Sequence, residues 1–239
     1  MDKNASNKPR NKIPEGFKKF LYIFIFVFSI VLLVVEGIIY YHRSYLTPFW
    51  VNGQSMYPTL NEHAKNAQGD EIGAGGGGSL EGYTVDYGKM DCHKSAINKI
   101  KRFDVVVTLY SSDDTSNKIK RVIGMPGETI KFSTAVETNG DLYVNGKFVE
   151  QPISTQVVRN ASYPVGEIKL GENEYYVLGD NRNHSLDSRA EGPIKKEWIT
   201  GKAMYLTGTA TVFKYTDPDS GNFKYDIKNI KKHWPRRIK

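Results

Sequence analysis

Twenty-two consecutive residues, Phe20 to Tyr41, are almost wholly apolar and constrain this chain more than any other feature. As a helix rising ~1.5 Å per residue the run is roughly 33 Å long, about one hydrocarbon layer. Glu36 is its one charge, near the far end. A cleaved leader would also begin with an apolar run, but this one is long for that, and no small-x-small pattern follows it. We therefore read an uncleaved transmembrane helix over 20–41. It follows a basic tail, 1–19, with six Lys or Arg against two acids. Positive flanks stay on the cytoplasmic side. The expected arrangement is a single-pass protein of the cell membrane, N-terminus inside and the remaining bulk extracytoplasmic.

The far end is basic too. Residues 220–239 hold seven Lys or Arg against one acid, so within a net charge of +7 the body between the two ends is slightly acidic. A nucleic-acid-binding fold would carry its basic patch on that body, so no nucleic-acid partner is expected. Basic ends beside a membrane helix suit anionic lipid headgroups. The segment 216–239 reads as a basic C-terminal tail. The single cysteine, Cys92, excludes an internal disulfide framework, and five scattered histidines give no zinc spacing. Neither a metal nor another cofactor is expected.

Beyond the apolar run the pattern is that of strands. Phe103–Tyr110 is β-branched and aromatic, and Ile119–Ile123 ends on Gly124 and Pro126-Gly127. Leu142–Val144 and Lys147–Val149 flank Asn145-Gly146, a turn that tolerates positive φ at both positions. Tyr175–Leu178, Lys202–Leu206 and Thr209–Phe213 follow. No long 3.6-residue periodicity occurs outside the anchor, so the fold class is all-β. Residues 61–90 are polar, with Gly73–Ser79 at their centre, and read as a flexible loop. No Lys-Ser/Thr pair follows the glycines, so this is not a phosphate loop.

Three stretches carry chemistry. In Gly53-Gln54-Ser55-Met56-Tyr57-Pro58-Thr59-Leu60 a serine sits between a glycine and a proline, where an extended segment turns. A serine nucleophile needs a base. His184 is one candidate, though no Ser-His-Asp arrangement is readable. Lys120 is the other, set among Ile119, Val122, Ile123 and Met125. An ordinary lysine is neutral in roughly one molecule in 2,500 at pH 7, so it must be desolvated to serve. Alternation on a strand sends Lys120 and Arg121 to opposite faces, one free to act as base and the other to pair with a carboxylate. In the third stretch, Gly179–Arg189, Asp180 and Arg182 lie two apart, as do Asp187 and Arg189, which suits side chains sharing a face. Each stretch also has a plain structural explanation: a loop serine, a solvated lysine face, a polar turn.

Taken in order, Gly53–Leu60, Arg102–Val106, Lys120–Gly127 and Gly179–Arg189 resemble the motif boxes of bacterial type I signal peptidases, and the anchor ahead of the first box fits the same family. The resemblance implies a membrane-bound serine endopeptidase that removes signal peptides from exported preproteins, cutting after small residues at −1 and −3. Ser55 matches the nucleophile and Lys120 the general base. Ser185 matches the residue bonded to that base, Asp187 a supporting carboxylate paired with Arg189, and Asp180 the partner of Arg121. The Ser55 backbone N–H and the Gly53 region are the expected oxyanion hole, with Gly53, Gln54 and Ile119 contacting substrate. Gly53 stands where some members have a serine, and Glu128 where an aspartate is usual. Preproteins and membrane lipid are the implied partners, and the protein-export channel is a further candidate. The implied fold is an antiparallel β-sheet catalytic domain in two parts, 42–132 and 172–215, with a hairpin-bearing insertion at 133–171. A self-cleaving repressor would share the dyad but needs a DNA-binding domain; a tethered binding domain would not need both dyad residues.

Overall fold

The computed structural model describes residues 14–73, 80–113, 115–153 and 158–238. They fall into two units, divided after Ser44. The first is helix α1, Glu15–Tyr45, none of whose side chains is buried. It is long and apolar enough to cross a membrane. Phe20, Phe24 and Phe28 stack along one side at i,i+4 spacing, with ring centroids 6.3 and 6.1 Å apart. The helix exceeds the expected span at both ends, so Glu15–Lys19 belong to it and not to a tail. Of the rest of that tail, residues 1–13 lie outside the described residues.

The second unit is built from antiparallel strands. Eight form one sheet in the order β1(Leu46–Trp50), β2(Thr84–Asp91), β11(Ile199–Thr216), β3(Val105–Thr108), β4(Lys118–Gly124), β9(Glu174–Leu178), β10(Ile194–Lys195), with β12(Phe223–Arg237) also on β11. The other sheet runs β7(Lys147–Val149), β6(Leu142–Val144), β5(Thr129–Phe132), β8(Glu167–Lys169). Two short helices, α2(Lys94–Asn98) and α3(Ser188–Glu191), sit between strands. β3 is Val-Val-Val-Thr, buried at every position, as β-branched side chains on a central strand should be. β4 lies between β3 and β9, so Lys120 and Arg121 are carried into the interior whatever their charge.

β11 holds the large sheet together. It pairs β3 near its start, β2 through its middle and β12 over its second half, with register shifts against all three. Those shifts bend the strand and curl the sheet. One core lies between the sheets, where Ile123, Tyr176 and Leu178 meet Ile130, Phe132 and Leu142. Another packs Met56 and Leu60 against Phe49, Met90, Val105 and Leu206. That second core seats the segment following Ser55.

Several expected boundaries move. The tail at 216–239 is largely strand β12, paired along β11. Only Tyr225 and Ile227 show its alternation, where they pack beside Val212; elsewhere lysines crowd it, a common guard on an exposed edge. The loop at 61–90 ends earlier, because β2 starts at Thr84 and Lys65 bridges to both Glu71 and Thr84. The glycine run 74–79 lies outside the described residues. The insertion at 133–171 belongs to a sheet that already begins at Thr129 in β5. The two closing strands are one continuous β11 running through Gly208. At Asn145-Gly146 φ is 49° and 76°, and the hairpin of β6 and β7 forms there.

Gly88 in β2 shows how closely the curled sheet is packed. A Cβ there would lie 2.5 Å from the Tyr205 carbonyl and 2.8 Å from the Phe49 ring. The carbonyl is backbone and cannot rotate away. Gly88→Ala should therefore destabilise the β-domain by ~1–3 kcal/mol, visible as a lower urea midpoint with an unchanged slope; an unaltered midpoint would contradict this packing.

Candidate active site

Ser55 sits where the chain leaves β1. The Tyr57 N–H donates to the Gln54 carbonyl and the Leu60 N–H to that of Met56, so residues 54–60 coil into consecutive turns. Met56 and Leu60 point into the core and hold the coil down. The Tyr57–Pro58 peptide is cis. From the other side the Asn181 N–H donates to the Ser55 carbonyl at 3.0 Å. Gly179 lies so close that a Cβ there would overlap both that carbonyl and the Ser185 hydroxyl. Only glycine fits between them.

Lys120 reaches the same point from β4. Its Nζ lies 2.8 Å from Ser55 Oγ and 3.0 Å from the Ile119 carbonyl. The side chain is 3 % exposed. Burial pulls its pKa down to about 8; Asp187 and Asp180 pull it back up, while Lys118 lowers it further. Desolvation wins because the ammonium has no carboxylate in contact.

Arg121, the next residue, points the other way and keeps its charge. Its Nε and Nη2 donate to the two Asp180 oxygens at 2.7 and 2.6 Å, and its Nη1 donates to the Phe103 carbonyl at 2.8 Å. Thr59 Oγ1 also donates to Asp180. One bidentate pair thus ties the segment after Ser55, strand β4 and the loop after β9 together. A second pair stands nearby. Asp187 caps α3, accepts from the Gly179 N–H at 3.0 Å, and receives two Arg189 guanidinium bonds at 2.8 Å.

Two expectations fail. Ser185 Oγ is buried without a hydrogen-bond partner and makes no hydrogen bond to Lys120, whose donors turn to Ser55 and Ile119 instead. Gln54 does not face substrate space; its side chain is buried and its Oε1 also lacks a partner. Gly53 and Ile119 do line a groove of about 580 Å³ in front of Ser55 and Lys120, with Trp50, Val51, Met90 and Val107. A larger open cleft near Cys92 and Glu174 contains none of the expected site residues. Among the described residues no cluster of three or more His, Cys, Asp or Glu could hold a metal.

Arg182 does not share a partner face with Asp180, because a tight turn, with the Arg182 N–H on the Asp180 carbonyl, separates them. Its guanidinium donates to the Gly179 carbonyl, Tyr163 Oη and Gln151 Oε1, tying the loop to the smaller sheet's side of the domain. Thr59 and Asn61 were also missed. Thr59 stands inside the first motif, but nothing local links it to Asp180, 121 residues away. Asp180→Ala would leave the Arg121 guanidinium buried and uncompensated, which costs about 3–5 kcal/mol. Urea unfolding should show a loss of that size; a change under 1 kcal/mol would mean that the pair does not hold the three segments.

The chain is similar to known proteins. The family model for signal peptidase, peptidase S26, matches residues 20–207. Signal peptidase I S of Bacillus subtilis is 30% identical over 188 residues, spanning 74% of this chain and 85% of that protein. Signal peptidase I V of the same organism is 41% identical over 140 residues, 51% of this chain and 79% of its own. A crystal structure of a signal peptidase I from Enterococcus faecalis is 30% identical, covers 44% of this chain and 96% of its own, and gives a TM-score of 0.37. The family match spans most of the chain, so the protein belongs to the type I signal peptidase family, serine peptidases that remove signal peptides.

Proposed function

We propose that this peptidase works through a Ser-Lys dyad, with Ser55 as nucleophile and neutral Lys120 as general base. The observation that carries the proposal is the 2.8 Å contact between Lys120 Nζ and Ser55 Oγ, made by a lysine with almost no exposure to water. In the neutral amine the nitrogen lone pair accepts the Ser55 hydroxyl hydrogen. As Oγ attacks the scissile carbonyl carbon, that proton passes to Nζ, and the carbonyl oxygen takes the negative charge. The Ser55 N–H and the open backbone at Gly53 are the groups available to receive it. The Lys120 ammonium then protonates the departing amine, leaving an acyl-Ser55 and a neutral lysine. That lysine takes a proton from water, whose oxygen attacks the ester; the returning proton restores Ser55. Asp180 and Asp187 support the site through Arg121 and Arg189.

Substrates on this reading are exported preproteins with small residues at −1 and −3. β1 ends the large sheet, so one side of it is an edge, and the groove runs past Pro48–Gly53. An extended peptide adds to such an edge through main-chain bonds. Residues −1 and −3 then face the same way, toward the walls made by Val51, Met90, Val107 and Ile119. The same reading places α1 across the cell membrane, the N-terminal tail in the cytoplasm and the β-domain outside, with anionic lipid and the export channel as membrane partners.

The base assignment predicts a pH profile. Lys120 acts when deprotonated, and its pKa is about 8, so about a tenth of molecules are competent at pH 7. Below pH 8 the rate should fall tenfold per pH unit, and Lys120→Met, which fills the site without a base or a buried charge, should abolish cleavage. Substantial activity in that variant, or a flat profile from pH 6 to 9, would assign the base elsewhere.

The groove predicts the substrate rule. On a preprotein, Ala→Phe at −1 should stop cleavage, and Ala→Phe at −2, on the other side of the strand, should be tolerated. Equal cutting of the two would show that the walls do not read alternate positions.

A further inference from the structure

Asn61 breaks the pairing between β1 and β2 in an unusual way. Past Trp50↔Tyr87, the register brings Val51 opposite Asp86, and the Val51 N–H donates to the Asp86 carbonyl at 3.3 Å. An antiparallel pair would return the bond from the Asp86 N–H to the Val51 carbonyl. Here the Asn61 carboxamide stands between them. The Asp86 N–H donates to Asn61 Oδ1 at 2.8 Å, and Asn61 Nδ2 donates onward to the Val51 carbonyl at 2.8 Å. The same Nδ2 donates to the Gly53 carbonyl at 3.0 Å. The Asn61 N–H in turn donates to Asp86 Oδ2 at 2.7 Å. The side chain is 1 % exposed and its φ is 63°, a conformation that asparagine tolerates better than most residues.

We propose that Asn61 is a substrate-positioning residue, its carboxamide wedged into the β1–β2 ladder so that Val51–Gly53 leans away from the sheet and toward the groove. The inference rests on the peptidase reading above. Alternation along an extended segment puts the Val51 and Gly53 carbonyls on the Asn61 side and turns the backbone of Trp50 and Asn52 to the groove side. The groove wall and the approach to Ser55 are thus set by one amide's width. Without the wedge the ladder can close, Val51–Gly53 retreats toward β2, and the groove widens where it reads −3.

Asn61→Gly tests this, since glycine keeps the positive φ and removes only the carboxamide. Asn61→Asp is a second test, equal in shape and still an acceptor for the Asp86 N–H, but unable to donate to either carbonyl. Asn139→Ala supplies the structural control: Asn139 Nδ2 likewise holds two carbonyls, of Arg159 and Ala161, at 2.7 Å, beside the smaller sheet. The full chain in detergent is assayed on preproteins with Ala or Leu at −3. Both Asn61 variants should raise KM about tenfold or more on the Ala substrate, with a smaller change in kcat, and should narrow the Ala/Leu discrimination. Asn139→Ala should lower the melting temperature comparably and leave KM and discrimination as in the wild type. Asn61 variants that melt early but keep wild-type KM and −3 preference would overturn the inference and leave the dyad standing. A wild type that cuts neither substrate would sink the peptidase reading and this inference with it.

Discussion

Two neighbouring cations on β4 meet opposite fates, and the rest of the site depends on that difference. Both are taken from water because β4 is a central strand. A buried guanidinium must be matched by an anion, and Asp180 matches that of Arg121 in a planar two-bond fork. Lys120 can shed its proton, and nothing in contact with it carries negative charge. Strand alternation makes this possible with adjacent residues. One face receives a permanent ion pair that fastens segments together, and the other receives an amine whose charge is optional.

The carboxylates nearest Lys120 illustrate how delicate that arrangement is. Even at ~10 Å and an effective dielectric constant of ~20, a bare charge is worth roughly 1.7 kcal/mol, more than one pKa unit. Asp187 and Asp180 both act to raise the Lys120 pKa, yet it stays near 8. Each carboxylate is already gripped by a guanidinium, Asp187 by Arg189 and Asp180 by Arg121. Desolvation of the buried amine nonetheless outweighs both carboxylates. The arginines fasten the loops through these carboxylates.

Legibility in the sequence followed the range of each interaction. Features fixed by neighbours could be read: the apolar helix, the Asn145-Gly146 hairpin, the opposed faces of Lys120 and Arg121. Ser55 and Lys120 could be named as residue types in suitable settings, but their meeting across 65 residues came from ordered motifs and not from any local pattern. β12 was hidden because an edge strand needs few apolar residues and gains from lysines. Ser185 and Gln54 were misread because the side-chain directions of buried turns are set by packing that no spacing rule encodes. The Asp180/Arg182 spacing misled for the same reason: two residues apart means one face on a strand, and this is a turn.

Asn61 is the clearest case of structure exceeding sequence. An asparagine in a polar stretch ordinarily signals a loop, and here the loop does begin there. Its positive φ swings the carboxamide back under the segment it follows, where it serves as a stand-in peptide group between β1 and β2. The large sheet supplies strength by pairing its strands fully, whereas a substrate groove needs a strand held off from its neighbour without buried polar groups left bare. A carboxamide meets both demands, because it carries the donor and acceptor of a peptide unit at the end of one short side chain. That lets the sheet end at Val51 with its hydrogen bonds satisfied and the chain turn toward Ser55.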